Sequence, residues 1–573
     1  MPDLHAKGEV QLVDCRSFSF YFQLIQAIWE GKNSQPLHRI CTLVRKMGAQ
    51  CFLQEELDIS DRLAVEAKAI RTRTKGRAEF VAQRLTFFRS IPDSRNWTDC
   101  IKDDILAYVI VARVKIPELK NFARSYIFES VVRTPTIWLT CDEHPPRPVR
   151  TSNSYIHCCR EFTTTVGLAD DPNPFTLTGT FFSQQNELTS ACAHAALCSA
   201  INSAPQFRGT PLTSEKINAA LGITHEPESR HFGELLDDPP NAHRLMGLDT
   251  DHITKIAESV GFSVQVADFE LNPAVDYAEY IYPFIESGYP TILGVTQPGF
   301  SHVLAMHGHT VDSDRWIPYP TIGYRGRVSS PYLSSTTWVD HFIGSDDLFG
   351  MYVTIPTDSI RNFTVPHYNR ELHAALAIGL VPKSVNIGCI AARECVNLIL
   401  RKLISRIEVE PVNQWFRLLQ DHVAKGQFLV LRTLLVEREK YLEVISSASD
   451  SKQNNLKPAE LGALEEILRA EQYWVTEVTV PNLLTGNKRK LGDFLIAASL
   501  QHGGKQEEAY DLTDPANRFK TASKLMRDAV DFAWLPGMMW SSAIQSEKAK
   551  EWSFRGHIDI LRGSGESTPD LEW

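Results

Sequence analysis

The sequence predicts an α+β protein made of three units, and three observations support this. A chain of 573 residues exceeds the usual size of one hydrophobic core, so about three domains are expected. Hydrophobic and charged fractions of 43% and 22% are typical of globular proteins and exclude a mostly disordered or fibrous chain. Helix-like and strand-like segments are mixed in the first unit and follow each other in blocks in the second, as in an α+β fold.

The predicted units span residues 1–174, 175–356 and 357–573. In the first unit, the most apolar and β-branched strand candidate covers residues 105–114. The run Asp-Asp-Pro-Asn-Pro at residues 170–174 is typical of a boundary between domains. We therefore expect two α+β domains to flank a middle domain.

The second and third units contain the clearest helix and strand candidates. In the second unit, helices are predicted at 191–201, 213–222 and 249–261, and strands at 262–266, 290–295, 302–307 and 338–345. Thr189 or Ser190 is expected to cap the first helix. In the third unit, helices are predicted at 391–407 and 458–470, and strands at 428–436 and 474–480. The tail after Arg562 has little to bury and is expected to be disordered.

Charge and motif content argue against several functional classes. The net charge of -10 comes from 69 acidic and 59 basic residues, so no nucleic-acid partner is predicted. A basic segment between Arg62 and Arg89 is interpreted as the solvated face of a strand or hairpin. No P-loop, dinucleotide glycine fingerprint or Gly-x-Ser-x-Gly elbow occurs in a convincing context, and no cofactor is predicted.

Cysteine usage and hydropathy predict a cytoplasmic protein. The 11 cysteines are odd in number and include no Cys-x-x-Cys pair, which favours a reducing compartment. The first residues lack the basic and apolar segments of a secretory signal. No run approaches 18 apolar residues, so no membrane partner is predicted.

Cys192 is the candidate nucleophile of the second unit. It stands in the first turn of a predicted helix, where free amide hydrogens and the helix dipole favour the reactive thiolate. A side-chain amide a few residues upstream could stabilise an oxyanion opposite the thiol. Gln185, seven positions before Cys192, is our choice for this role, with Gln184 and Asn186 as alternatives. Without a partner base, a cysteine on an alanine-rich helix would be interpreted as a small buried residue.

His302 is the predicted base. It opens an apolar strand that follows another apolar strand at residues 290–295. A histidine at the start of a strand can direct its imidazole across a cleft towards a helix amino end, which is the geometry of a thiolate–imidazolium pair. We therefore predict that Cys192 and His302 meet in the folded protein.

The order of these segments resembles that of C39-like peptidases, the bacteriocin-processing type of the papain-like cysteine peptidase superfamily. Three further stretches carry the resemblance: Leu-Thr-Ser-Glu-Lys-Ile at 212–217, the passage from Gly247 to Gly-Phe at 261–262, and the apolar strand before His302. The resemblance covers about a third of the chain and implies a papain-like middle domain, a cysteine peptidase activity and a protein or peptide substrate. Cys-Ala-His replaces the Cys-Gly or Cys-Trp of familiar peptidases, which leaves the substrate class open.

The resemblance also implies an Asp or Asn that orients the histidine from the end of the following strand. Asp346 is preferred because it ends a predicted strand and precedes a glycine turn. Asp347 and Asp312 are the alternatives, in that order. Residues 312–337 are then interpreted as an inserted loop over the cleft.

Other interpretations of these residues stay open or are disfavoured. Deamidation, amide transfer and removal of ubiquitin-like modifiers all use the same thioester chemistry, and an inert papain-like scaffold is the alternative from a different class. His302, His307 and His309 suggest a metal, but no nearby Cys, Asp or Glu completes a ligand set, and no metal is predicted. His194 is predicted to be a packing residue.

Overall fold

The structure is a computed structural model that describes most of the chain. The described residues are 4–118, 122–134, 153–225, 247–271, 276–311, 332–357, 362–365, 370–406, 413–425, 427–447, 458–499, 524–525, 528–541, 558–559 and 561.

Helices and strands occur in all three thirds of the described chain, which confirms an α+β fold. The helices are α1 Phe18–Ile28, α2 Gln35–Lys46, α3 Asp61–Arg73, α4 Cys192–Ser203, α5 Ser214–Leu221, α6 Thr250–Ser259, α7 Tyr277–Glu286, α8 Cys389–Arg406, α9 Gln414–Ala424, α10 Arg438–Ser447, α11 Pro458–Ile467 and α12 Pro481–Asn487. Short 3-10 helices cover Trp97–Asp99, Lys102–Asp104 and Ser335–Trp338. Among the described residues, no helix combines the length and apolar character needed to cross a bilayer.

An antiparallel sheet forms the first layer, in the order β1-β2-β3-β4-β5-β8-β7. The strands of the first third are β1 Gln11–Asp14, β2 Cys51–Glu56, β3 Glu79–Phe88, β4 Ile105–Lys115, β5 Ala123–Arg133, β6 Asn153–Ile156, β7 Arg160–Val166 and β8 Asn173–Phe182. The expected boundary between residues 174 and 175 falls inside β8. Because β8 pairs with both β5 and β7, the chain enters its middle third directly from the first sheet.

A second antiparallel sheet carries the middle third, in the order β14-β13-β11-β10-β16-β15, with β6 added to β11 and β9 to β16. Its strands are β9 Phe262–Asp268, β10 Thr291–Gln297, β11 Phe300–Val311, β13 His341–Asp346, β14 Gly350–Pro356, β15 Asn362–Val365 and β16 Arg370–Pro382. The last two lie beyond residue 356, so the expected boundary there does not coincide with the edge of the sheet. Helix α4 packs on β11 and β8, between the two sheets.

The third sheet has the order β12-β17-β18-β20-β21-β22. Its strands are β12 Tyr332–Ser334, β17 Leu429–Glu437, β18 Gln472–Thr479, β20 Gly492–Ala497, β21 Val530–Leu535 and β22 Met538–Ser541, and a separate pair joins β19 Arg489–Lys490 to β23 Ile558–Asp559. Strand β12 comes from the middle third and pairs parallel with β17. Residues 332–337 were expected to belong to a loop over the cleft. They instead form β12 and part of a buried 3-10 helix.

Each helix and strand predicted in the second and third units is present, with ends shifted by a few residues. Helix α7 was not predicted. Nearly all of its side chains are buried and Pro283 lies inside it, so it lacks the alternation of apolar and polar faces that identifies a surface helix. Its amino end is fixed by Asp276, whose carboxylate accepts the N–H of Ala278 at 2.8 Å.

The basic segment between Arg62 and Arg89 is not the solvated strand face or hairpin that was expected. It includes α3 and β3, and two of its arginines form ion pairs. Arg84 is buried and pairs with Glu55, while Arg62 pairs with Glu129. These cations therefore serve the packing of the first unit.

We predict that Gly350→Ala destabilises the protein more than Gly261→Ala. The two residues have φ angles of +105° and +100°, so alanine suffers similar backbone strain at both positions. At Gly350, an added Cβ would lie 3.0 Å from the Cα of Pro36 and 3.1 Å from the Cβ of Arg39, whereas nothing lies within 4 Å at Gly261. Thermal unfolding should show the larger fall in apparent Tm for Gly350→Ala. Equal falls would contradict close packing of the β13–β14 turn on α2.

Candidate functional site

The loop between β8 and α4 is organised by the buried side chain of Asn186. Its Oδ1 accepts the N–H groups of Leu188 and Thr189, both at 2.8 Å, and of Ser190 at 3.1 Å. Its Nδ2 donates to Glu66 Oε1 of α3 at 2.7 Å. Asn186 is thus committed to holding the loop, which removes it as an oxyanion donor.

Helix α4 begins at Cys192, with Ala191 as its N-cap. The prediction that Thr189 or Ser190 caps the helix is wrong. The hydroxyl of Ser190 instead accepts the N–H of Asn186 at 2.9 Å. The amino end is closed by His194, whose Nδ1 accepts the N–H of Ala191 at 3.2 Å. This confirms His194 as a buried structural residue. The leading N–H groups of the helix have no intrahelical acceptors and surround the Cys192 thiol with positive potential.

The two candidate glutamines differ in their environments. Gln184 is buried, accepts the N–H of Ile127 at 3.2 Å and donates to the carbonyl of Asn33 at 3.1 Å. Gln185 is half-buried, and no described residue is hydrogen bonded to its side chain. Of the two glutamines, Gln185 therefore has the side-chain amide that remains available for a ligand.

His302 and Asp346 lie at the ends of two neighbouring strands, β11 and β13. The register that pairs Ala305 with Ser345 places Asp346 across from Leu304, on the same face as His302 two residues away. His302 Nε2 lies 3.1 Å from Asp346 Oδ1, in hydrogen-bond contact. The structure thus brings together the predicted base and the preferred orienting carboxylate.

The side chain of Cys192 lies close enough to the His302 ring to favour its protonated form and raise its pKa. Because Nε2 of His302 contacts the carboxylates, we expect Nδ1 to be the ring nitrogen that faces the sulfur. Three of the predicted side chains, Cys192, His302 and Asp346, therefore form one connected series. It runs from the amino end of α4 to the carboxyl end of β13.

The electrostatic environment keeps His302 charged. Burial alone would lower its pKa, since the side chain is 3% exposed. The negative charges of Asp346 and Asp347, together with the hydrogen bond to Asp346 and the proximity of Cys192, outweigh this effect and raise the pKa of His302 well above its usual value. The imidazolium is consequently the prevailing form at neutral pH.

Asp347 is a second carboxylate beside the imidazole. Its Oδ1 lies 3.2 Å from His302 Nε2, but neither of its oxygens makes a hydrogen bond within the described residues. Burial raises the pKa of Asp347 to about 7, while His302 opposes the shift and Asp346 and Glu187 add to it. Asp346 holds the ring by a hydrogen bond, and Asp347 contributes charge. The third candidate, Asp312, lies outside the described residues.

The first unit supports the turn that carries Asp346. This carboxylate accepts the N–H of Leu348 at 2.8 Å, which fixes the start of the turn. Arg39 of α2 then donates to the carbonyls of Met351 at 3.2 Å and Tyr352 at 2.7 Å. Sequence reasoning missed this supporting contact because more than 300 positions separate Arg39 from the strand that it holds.

The three strand histidines do not form the metal site considered above. His307 Nε2 lies 3.1 Å from Ser345 Oγ, and His309 Nε2 lies 2.5 Å from Glu286 Oε2. His302 instead belongs to the series with Asp346.

No protein-family model matches this sequence, and comparison with the curated proteins gives no match.

We predict that Asp346→Asn lowers the pKa of His302, with a smaller fall in Asp347→Asn. The first change removes both a charge and a hydrogen bond, whereas the second removes a charge alone. NMR titration of ring-labelled histidine, assigned with His302→Gln, measures both effects. Equal pKa values in wild type and Asp346→Asn would contradict the pairing.

The same shift determines how this site contributes to stability. Because the pKa of His302 is raised in the folded state, its protonated ring stabilises the fold fully below the unfolded-state pKa of about 6.5. That contribution is lost as the pH rises through the folded-state pKa. Asp346→Asn lowers the folded-state pKa, so this stabilisation should be lost at a lower pH than in the wild type.

Proposed function

We propose that this protein is a cysteine hydrolase whose middle third is a papain-like unit of the C39-like type, most simply a peptidase. The observation that carries the proposal is the connected series of Cys192, His302 and Asp346. The packing of α4 on an antiparallel sheet that includes β10, β11 and β13 supports the papain-like assignment. A half-buried thiol beside a buried imidazolium is an arrangement suited to nucleophilic attack.

In the acylation step, the thiolate of Cys192 attacks the scissile carbonyl carbon and the carbonyl electrons move to oxygen. The resulting oxyanion accepts hydrogen bonds from the leading N–H groups of α4 and from the side-chain amide of Gln185. His302 donates its proton to the leaving nitrogen as the C–N bond breaks. The products are a free amine and an acyl-thioester on Cys192.

In the deacylation step, neutral His302 removes a proton from water, and the hydroxide attacks the thioester carbonyl. The thiolate leaves, and the imidazolium that has formed pairs with it again. Asp346 keeps the ring oriented through both steps by its bond to Nε2. A protein or peptide substrate fits this chemistry, with the acyl group supplied by a peptide or isopeptide bond.

We predict that iodoacetamide near neutral pH labels Cys192 faster than any other thiol. Cys198 lies on the same helix and is a matched control, because burial raises its pKa to about 12. Cys192→Ser should abolish the fast labelling, and Cys198→Ser should retain it. Peptide mapping by mass spectrometry identifies the labelled site.

Turnover of a fluorogenic peptide library, followed by intact-mass analysis of the products, tests the reaction itself. Cys192→Ala and His302→Gln should reduce turnover to background. Cleaved chains that have gained water identify a hydrolase acting on peptide bonds. Uncut chains with an amide converted to acid, or conjugated chains, would instead identify deamidation or transfer. Fast labelling that persists in Cys192→Ser would refute the nucleophile.

We predict that Gln185→Ala lowers kcat by roughly 100- to 1000-fold with little change in KM, as expected for loss of an oxyanion donor. Gln184→Ala is the control on the neighbouring residue. It should mainly lower the apparent Tm, because it leaves Ile127 N–H and Asn33 O without their partner. A larger kcat effect at Gln184 than at Gln185 would reverse the assignment.

A further inference from the structure

A second cluster of buried side chains lies at the far end of β11 from His302. It consists of His309 on β11, His157 just after β6, and Glu286 at the end of α7. All three are buried. Seven residue steps along β11 separate His309 from His302, a distance of roughly 23 Å along the strand. This cluster is therefore separate from the proposed catalytic series.

Three electron-pair donor atoms converge in this cluster. The Nε2 atoms of His157 and His309 lie 3.3 Å apart. Glu286 Oε2 lies 2.5 Å from Nε2 of His309 and 3.5 Å from Nε2 of His157. Such a meeting of two imidazoles and one carboxylate oxygen is typical of a metal ligand set.

When its imidazoles are neutral, this cluster contains repulsive contacts. His309 Nδ1 faces the carbonyl of Thr310 at 3.4 Å, which favours a proton on Nδ1 and a lone pair on Nε2. That lone pair then faces both the His157 ring and the Glu286 carboxylate. A cation between the three donor atoms would remove the repulsion among them.

We propose that His157, His309 and Glu286 bind one zinc ion. Tetrahedral zinc with bonds of about 2.0–2.1 Å to nitrogen sets neighbouring ligand atoms roughly 3.3–3.4 Å apart, which matches the 3.3 Å between the two Nε2 atoms. The short contact between His309 and Glu286 is a hydrogen-bond distance, and the carboxylate must turn away slightly to admit the ion. Two His and one Glu leave one coordination position for water.

Arg432 of β17 orients the carboxylate of this site. Its guanidinium binds Oε1 of Glu286 and also lies 2.5 Å from Glu477 Oε2 of β18. This contact leaves Glu286 Oε2 to face the two imidazoles. The ion therefore ties β6, β11 and α7 together and, through Arg432, connects them to the third sheet. Such an ion stabilises the fold, because a metal bound only by the folded state favours that state.

The test loads the full-length chain with stoichiometric zinc after chelation and desalting, and measures bound metal by elemental mass spectrometry. We expect one zinc per chain in the wild type and a loss of most of it in His157→Gln and His309→Gln. His302→Gln is the matched control, because His302, Asp346 and Asp347 form the other group of convergent ligand atoms found among the described residues. It should retain zinc. The apparent Tm should rise with zinc in wild type and in His302→Gln, but not in His157→Gln.

X-ray absorption at the zinc edge of the wild-type protein removes any dependence on the folding of variants. Two imidazoles with oxygen ligands and no sulfur are expected. Absence of bound zinc, a sulfur ligand, or zinc that is lost in His302→Gln but kept in His157→Gln would each overturn the site. None of these outcomes bears on thiol labelling at Cys192. The labelling and turnover experiments therefore test the proposed hydrolase independently of the zinc site.

Discussion

The candidate site depends on a charged imidazole that is held inside the protein. Burial would neutralise His302 if it stood alone, because a desolvated cation loses its hydration. Two adjacent carboxylates, from Asp346 and Asp347, reverse that preference, and only Asp346 forms a hydrogen bond. The positive ring then lies beside a thiol at the amino end of a helix, where the local potential also favours negative charge on sulfur. The strand register, the turn after β13 and the start of α4 all serve to maintain this contact.

The first unit is part of the framework of the site. Glu66 of α3 receives a hydrogen bond from Asn186, and Asn33 and Ile127 hold Gln184. Arg39 supports β14 immediately after the turn that bears Asp346. These contacts bind the loop before Cys192 and the turn after Asp346 to the same sheet and helices. A change in the packing of the first unit would therefore displace the thiol and the carboxylate together.

Local patterns in the sequence predicted much of the site. A few adjacent residues are enough to identify a thiol at a helix start, a histidine at a strand start or an acid before a glycine turn. Cys192, His302 and Asp346 were found by these three local patterns. Asn186 was considered only as an alternative oxyanion donor, and its role in the loop was not predicted because the turn that it closes requires knowledge of the backbone path. Helix α7 was missed because burial on all sides removes helical periodicity.

Long-range pairing set the limit of what the sequence could predict. The boundary at residue 174 was placed at a turn, and a second was expected at residue 356, whereas strands pair across both positions. The cluster of His157, Glu286 and His309 was also missed, because more than 100 residues separate His157 from its partners. A histidine on β11 then resembles an ordinary strand residue until the fold brings Glu286 beside it.

The position of β16 has a practical consequence for dissecting the molecule. This strand lies beyond residue 356 and is hydrogen bonded to β10, whose other neighbour, β11, carries His302. A recombinant fragment of residues 175–356 would lack β16 and would leave β10 with a bare apolar edge. Exposed edges of this kind recruit strands from other molecules, so such a fragment would aggregate.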